Sequence, residues 1–251
     1  MSSIPRSKAL LNIPQRKLQE QILHLIQNCK DCSLKNIKTI ANVDNICERC
    51  SVKIIAYNRY YESNIPIEYW SLSMNDFKGP DILKKVYSNS IDNLQSIYVN
   101  GLNYALLGTS GIGKTTVATA ILKKMAEKNY SCLYITLMDM VNVLIEAPFE
   151  EKYIAKRELT QADLLIIDEL DSRFFATTEN TANLFAKTLE GIIRTRFSNK
   201  LPNIFISNSP NILEGFNGAF KDSLSSLMSN VKEFVARGTD FRKTMSNVGS
   251  K

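Results

Sequence analysis

Residues 108–115 read GTSGIGKT and match the pattern G-x-x-x-x-G-K-[ST] once in the chain of 251 residues. They follow an apolar run, NYALL at 103–107, and precede a stretch whose apolar residues have helical spacing. This order predicts a strand, a glycine-rich loop and a helix, and the backbone N–H groups of such a loop surround phosphate oxygens. The stretch therefore predicts a binding site for a nucleoside triphosphate.

The residues of this loop have separable roles in that site. Glycines let the backbone approach the phosphates closely, Lys114 reaches the β and γ phosphates, and the Thr115 hydroxyl takes a place on Mg²⁺. The last residue, Thr116, is expected to pack or to cap the helix. The residues predicted to contact ATP and its Mg²⁺ are Gly108, Thr109, Ser110, Gly111, Ile112, Gly113, Lys114, Thr115 and Thr116.

Polar residues also follow two other apolar runs. Asp168 and Glu169 follow LLII at 164–167, and Asn208 follows NIFIS at 203–207. Ligands of an open α/β sheet lie beyond the carboxyl ends of its strands, so we expect Asp168 to hold the metal and Glu169 to polarise the attacking water. The alternative is that these acids only begin a helix. Asn208 can orient the lytic water if its strand lies between the other two; otherwise it is a turn residue.

From residue 103 onward, predicted strands alternate with predicted helices. Such alternation favours an α/β fold with a parallel sheet covered by helices on both faces, and continuously apolar strands are typical of it. A further helix is expected at about 81–99. The predicted strands are 103–107, 131–137, 163–167, 203–207 and 231–235, and the predicted helices between them include 113–128, 138–146 and 180–198.

Four of the five cysteines form two C-x-x-C pairs separated by fourteen residues: Cys29, Cys32, Cys47 and Cys50. Four thiolates at such spacing can close a tetrahedral zinc site, and disulfides do not persist in a reducing compartment. The alternatives are a redox-active pair and an iron-sulfur cluster. Cys132 lies in an apolar run and is expected in the core, and His24 is expected on a helix surface.

The chain divides by composition into four predicted parts. Residues 1–56 form a zinc-binding domain with an amphipathic helix at 16–27, and a strand-like run, VKIIAYN, follows Cys50. Residues 57–80 are predicted as a linker that ends near a Gly-Pro break. Residues 81–243 form the nucleotide-binding domain, and 244–251 are expected to be a disordered tail.

The formal net charge of +6 suits a partner with a phosphate backbone, although it is also compatible with simple solubility. No apolar run approaches the ~20 residues that span a bilayer, and the first residues lack the features of a signal peptide. We therefore expect a cytoplasmic protein that does not contact a membrane. Richness in Asn, Ile and Lys indicates an AT-rich genome and is compatible with a phage source.

Together, GTSGIGKTT, LLIIDEL, the NIFISN ending and GTDFRK at 238–243 resemble the bacterial replicative-helicase loader family of the DnaC and DnaI type, which is related to the transposition helper IstB. The resemblance covers about residues 60–243 and implies an AAA+ ATPase. It gives Asn208 the sensor 1 role and Arg242 the role of the sensor 2 arginine. It implies that the cysteine module, residues 1–56, docks on a hexameric helicase. It also implies that single-stranded DNA is bound and that the protein forms a homo-oligomer or assembles on the helicase.

The sequence departs from this family at one position. Loaders carry an arginine finger in the helix after sensor 1, but that helix reads AFKDSLSSLMSN here, with Lys221 as its only basic residue. Arg194 and Arg196 are alternative candidates. Lysine lacks the planar fork of a guanidinium, so we expect slow ATP turnover. The competing hypotheses are an IstB-like helper acting on double-stranded DNA and an ATP-binding switch without significant hydrolysis.

Overall fold

The computed structural model describes residues 7–33, 46–170, 179–213 and 218–240. Its central sheet has five strands: β1 Asn103–Leu107, β2 Cys132–Thr136, β3 Leu164–Asp168, β4 Asn203–Ser207 and β5 Val231–Val235. All pairs are parallel and the order is β2-β3-β4-β1-β5. Each predicted strand is found to within one residue at its ends.

Ten α-helices are present within the described ranges. They are α1 Gln15–Gln27, α2 Lys30–Ser33, α3 Glu48–Glu62, α4 Asp81–Asp92, α5 Leu94–Asn100, α6 Lys114–Glu127, α7 Leu137–Glu146, α8 Phe149–Gln161, α9 Glu179–Ser198 and α10 Gly218–Met228. The single helix expected at 81–99 is divided at Asn93 into two helices. Helix α8 was not predicted, because its sequence is largely polar and buries few side chains.

Alternate residues of the central strands face two separate hydrophobic cores. Leu106 and Ile166 lie in the core on the side of α6, whereas Leu107, Ile167 and Phe205 lie in the core with α7, α8 and α9. Because successive side chains of a strand point to opposite faces, the continuously apolar strands fill both cores. This arrangement confirms the predicted parallel sheet with helices on both faces.

The strand-like run after Cys50 was wrongly predicted, because residues 48–62 form helix α3. The apolar residues Ile54, Tyr57 and Tyr61 pack against the core at spacings of three and four, whereas Val52 and Ile55 remain exposed. A short apolar run is ambiguous between strand and helix, and here one helical stripe is buried. The helix begins directly after Cys47, so one cysteine pair lies at its start, whereas its end lies beside strand β2.

The stretch 57–80, predicted as a linker, packs against the core on the α6 side. Ile65 and Trp70 are buried, and the ammonium of Lys123 on α6 donates to the carbonyl oxygens of Tyr69 and Leu72 at 2.7 Å each. The proposed division at residue 56 falls within α3, and the division of the chain into domains stays a prediction. The predicted tail at 244–251 lies outside the described residues.

Candidate nucleotide site and cysteine cluster

The loop between β1 and α6 has positive φ values at three glycines, including Gly108 with a φ of 131°. Gly111 and Gly113 have φ values of 79° and 93°, in the left-handed region that other residues rarely adopt. A Cβ atom on Gly113 would also overlap the ring of Phe77, and one on Gly111 would overlap the carboxylate of Asp240. The loop therefore lies against two segments from distant parts of the chain.

Lys114, at the start of α6, joins this loop to the end of β4. Its ammonium donates to the carbonyl oxygens of Gly108 and Thr109 at 2.8 and 2.7 Å, and to Oδ1 of Asn208 at 3.1 Å. Strand β4 lies between β1 and β3, which meets the condition under which Asn208 was expected to lie in the site. The amide of Asn208 therefore lies beside the lysine that is predicted to bind phosphate.

Asp168, the last residue of β3, receives three hydrogen bonds on a buried carboxylate. Its Oδ2 accepts from the hydroxyls of Thr115 and Tyr134, at 2.8 Å each, and its Oδ1 accepts from the backbone N–H of Glu169 at 2.6 Å. A hydroxyl and a carboxylate side by side are oxygen donors of the kind that Mg²⁺ prefers. Thr115 and Asp168 thus fit the metal site that the sequence predicts.

Tyr134 in β2 belongs to this cluster and was not predicted from the sequence. It lies in the apolar run CLYIT at 132–136, where the sequence alone predicts a tyrosine that only packs in the core. Burial and the negative charge of Asp168 raise the pKa of Tyr134 well above its usual value. The phenol therefore keeps its proton at neutral pH and remains a hydrogen-bond donor to the carboxylate.

Glu169 follows β3 in an unusual backbone conformation. Its φ is 55°, a left-handed value that is uncommon for a residue other than glycine, and its side chain is exposed. The residue is not helical, so the described structure does not support the alternative in which Asp168 and Glu169 only begin a helix. Such backbone strain costs ~1–3 kcal/mol and is concentrated at functional sites.

The four cysteines of the two C-x-x-C pairs form one cluster at the amino-terminal end of α3. Their sulfur atoms all lie within 4.8 Å of one another, and those of Cys29 and Cys47 are 3.6 Å apart. Four sulfurs bound at ~2.3 Å around one tetrahedral zinc ion are about 3.8 Å apart, so the cluster fits a single ion. A redox pair needs only two cysteines, and a cluster of several irons would hold the sulfurs further apart.

A side-chain donor next to this cluster favours a thiolate. Arg49 donates to the sulfur of Cys29 at 3.4 Å, and this hydrogen bond lowers the pKa of Cys29 to about 6. Metal ions bind the thiolate form of cysteine, so the lowered pKa of Cys29 assists binding at neutral pH, whereas burial raises the pKa of Cys50 and opposes it. Cys132 lies apart from the cluster, buried in β2, and His24 is exposed on α1, as both were predicted to be.

Residues 64–222 match the sequence model of a family described as IstB-like ATP binding protein. The chain belongs to this family of IstB-like ATP-binding proteins. A search of curated protein sequences found no match to it. The matched residues include the loop at 108–115 and the acidic end of β3. The cysteine cluster lies outside them.

Three solved structures show the same fold at low sequence identity. A primosome component from Streptococcus pyogenes serotype M3 has a TM-score of 0.59 and 17% identity, with coverage of 77% of this chain and 99% of that one. DnaI has a TM-score of 0.52 and 18% identity, with coverage of 70% and 93%. A DNA replication initiation factor has a TM-score of 0.57 and 16% identity, with coverage of 71% of this chain but only 54% of that one. The IstB-like protein therefore has the AAA+ P-loop ATPase fold.

The basic residues proposed to complete the site of this IstB-like protein differ in their exposure, and one of them lies outside the described residues. Arg196 was wrongly proposed as an alternative finger, because its guanidinium is fully buried in hydrogen bonds within the fold. Arg194 is exposed and pairs with Glu190 at 2.7 Å. Lys221 is exposed on α10, and Arg242 lies outside the described residues. Burial therefore excludes Arg196 as a finger, whereas Arg194 and Lys221 remain exposed.

The described helices of the IstB-like protein differ from membrane spans in their length and hydropathy. None of those in the described parts of the chain is long and apolar enough to cross a bilayer.

Proposed function

We propose that this IstB-like protein is an ATP-dependent loader that binds a hexameric replicative helicase and assists its placement on single-stranded DNA. The observation that carries the proposal is the cluster in which Lys114 contacts Asn208 while Thr115 contacts Asp168. This cluster stands in a fold that is shared with a primosome component and with DnaI. The proposal has three parts, namely ATP hydrolysis, helicase binding and DNA binding.

The positions of the polar groups around the loop support the proposal of ATP hydrolysis. Bound ATP would supply the γ-phosphoryl group, and Mg²⁺ held beside it would neutralise charge on its oxygens. Lys114 binds phosphate oxygens, while Thr115 and Asp168 hold the metal ion. Glu169 accepts a proton from the attacking water, and Asn208 orients that water.

The site requires a further cation, and helix α10 contains no arginine that could serve as an arginine finger. An arginine finger is worth ~10³-fold or more in rate, so an isolated chain hydrolyses ATP slowly. Arg242 reads the γ phosphate in this proposal, and a neighbouring chain supplies any further cation. The active form is thus a homo-oligomer or an assembly on the helicase.

The cysteine module binds the helicase through the exposed side of α3. Zinc held by the four cysteines fixes the start of that helix, and Val52 and Ile55 lie one turn apart on it with 61% and 49% of their surface exposed. Apolar side chains that remain exposed next to each other are typical of protein-binding surfaces. We assign this pair to the helicase contact.

Substitution of Val52 and Ile55 tests the helicase contact without removing core residues. The double variant Val52→Glu with Ile55→Glu is expected to lose capture of the replicative helicase in a pull-down and to retain ATP binding. Val99→Glu is the matched control, because Val99 is 60% exposed on α5, outside the cysteine module. Capture by the double variant at the level of the control would contradict the assignment.

Single-stranded DNA binds along α8 in this proposal. Phe149 and Tyr153 lie one helical turn apart with 85% and 65% of their surface exposed, and Lys156 is exposed on the same side of the helix. Bases stack on exposed aromatic rings without sequence preference, and lysine attracts the phosphates. The net charge of +6 acts in the same direction.

A second candidate is a transposition helper, which the name of the matched family favours. Such a helper assembles on double-stranded DNA and engages a transposase. The two candidates differ in the DNA that promotes assembly, which is duplex for the helper and single-stranded for the loader. Light scattering with ATP and either DNA distinguishes them.

A further inference from the structure

Strand β2 is the outer strand of the sheet on the side of β3, and Tyr134 lies at its middle. The Tyr134 side chain is 6% exposed and reaches across to β3, where its hydroxyl donates to Oδ2 of Asp168 at 2.8 Å. The same oxygen accepts from Thr115, and the other carboxylate oxygen accepts from the N–H of Glu169. Three donors thus fix the orientation of the carboxylate.

The backbone of Tyr134 is held from the other side of β2 by the residues that follow helix α3. Its N–H donates to the carbonyl of Ser63 at 2.9 Å, and its carbonyl accepts from Nδ2 of Asn64 at 3.0 Å. Asn64 has a left-handed φ of 54°, and its Oδ1 accepts from the N–H of Asn12 at 3.0 Å. Ser63 and Asn64 are buried, so these bonds close the outer edge of the sheet at this residue.

We propose that Tyr134 is a positioning residue that orients Asp168 for the magnesium ion of bound ATP, and that Ser63 and Asn64 hold Tyr134 in place from the end of α3. The inference rests on the proposed ATP site. Groups that hydrogen-bond to a metal ligand fix its orientation, and their removal costs ~10- to 100-fold in metal affinity or activity.

The proposal also connects the cysteine module to the nucleotide site. Helix α3 begins beside Cys47 and ends at Glu62, next to Ser63. A movement of α3 on contact with a partner therefore acts on the backbone of Tyr134 and, through its hydroxyl, on Asp168. The connection consists of helix α3, the turn at Ser63 and Asn64, and the hydrogen bonds of that turn to Tyr134.

Tyr134→Phe tests the positioning role by removing only the hydroxyl. The measurement is the Mg²⁺ concentration that gives half-maximal binding of a fluorescent ATP analogue to the full chain. We expect this concentration to rise about tenfold in the variant. Binding of the analogue in excess EDTA is expected to match the wild type, which a general defect of the nucleotide loop would not allow.

Tyr60→Phe is the matched control, because Tyr60 is also 6% exposed. Its hydroxyl also donates to a carboxylate, that of Glu127, the last residue of α6. It is expected to leave the Mg²⁺ dependence unchanged. Equal Mg²⁺ dependence in Tyr134→Phe and wild type would overturn the positioning role. If the wild type itself shows no binding that Lys114→Ala removes, the proposed ATP site fails instead, so the two failures are distinguishable.

Asn64→Gly tests the second half of the proposal, since glycine keeps the left-handed backbone and removes both amide contacts. We expect a shift in Mg²⁺ dependence in the same direction as for Tyr134→Phe, but smaller. An unchanged Mg²⁺ dependence in this variant would overturn the link from α3 to the nucleotide site.

Discussion

Glu169→Gln is expected to lower the rate of ATP hydrolysis by about 10²- to 10⁴-fold, the usual contribution of a general base. Glutamine has the same shape but cannot accept the proton of the attacking water. Lys114, Thr115 and Asp168 are unchanged, so ATP affinity should remain close to that of the wild type. Phosphate release and ATP binding are measured in parallel, with single-stranded DNA and the helicase present.

Glu233→Gln provides the control for this experiment, because it makes the same charge change at an exposed position of β5. It should leave hydrolysis unchanged. If Glu169→Gln and wild type release phosphate at indistinguishable rates, then the protein is not an ATPase that uses this residue. If neither protein releases phosphate above the protein-free background, the hypothesis of an ATP-binding switch replaces that of an enzyme.

Arg196→Met is expected to lower the free energy of unfolding by about 3 kcal/mol or more. The guanidinium is 0% exposed and donates to Oδ1 of Asn203 at 2.5 Å and to the carbonyl oxygens of Leu159, Ala162 and Pro202 at 2.8–2.9 Å. Each buried acceptor left without a donor costs ~1–3 kcal/mol. Burial lowers the pKa of Arg196 to about 9, so the group remains charged at neutral pH.

Arg194→Met is the matched control for the stability measurement. Arg194 lies two residues earlier on α9, exposed and paired only with Glu190, and exposed ion pairs contribute little to stability. Chemical denaturation of both variants is compared with that of the wild type. Equal midpoints for the two variants would show that the buried guanidinium does not hold α8, α9 and β4 together.

The nucleotide loop and the sheet were predicted well because their signals are local. The loop at 108–115 is defined by consecutive residues, and strands such as β3 are apolar along their whole length since both faces are covered. The position of β4 between β1 and β3 confirmed the geometric condition for Asn208. The roles of the individual residues in the site remain predictions.

The errors arose where distant parts of the chain meet. Tyr134 and Arg196 acquire their partners from other strands and helices, and neither a tyrosine in an apolar run nor an arginine on a helix reveals such partners in the sequence. Helix α3 was mistaken for a strand because its apolar run is short. The stretch 57–80 packs against α6, more than 50 residues away along the chain, and its sequence does not reveal this contact.

The central claim is that the loop at 108–115 binds ATP together with Mg²⁺, and titration of labelled ATP into the wild type and Lys114→Ala tests it most directly. Lys124→Ala is the control, because Lys124 is exposed on the same helix. We predict saturable binding by the wild type and by Lys124→Ala, and its loss in a folded Lys114→Ala protein. Absence of binding by the wild type, or equal binding by all three proteins, would contradict the account.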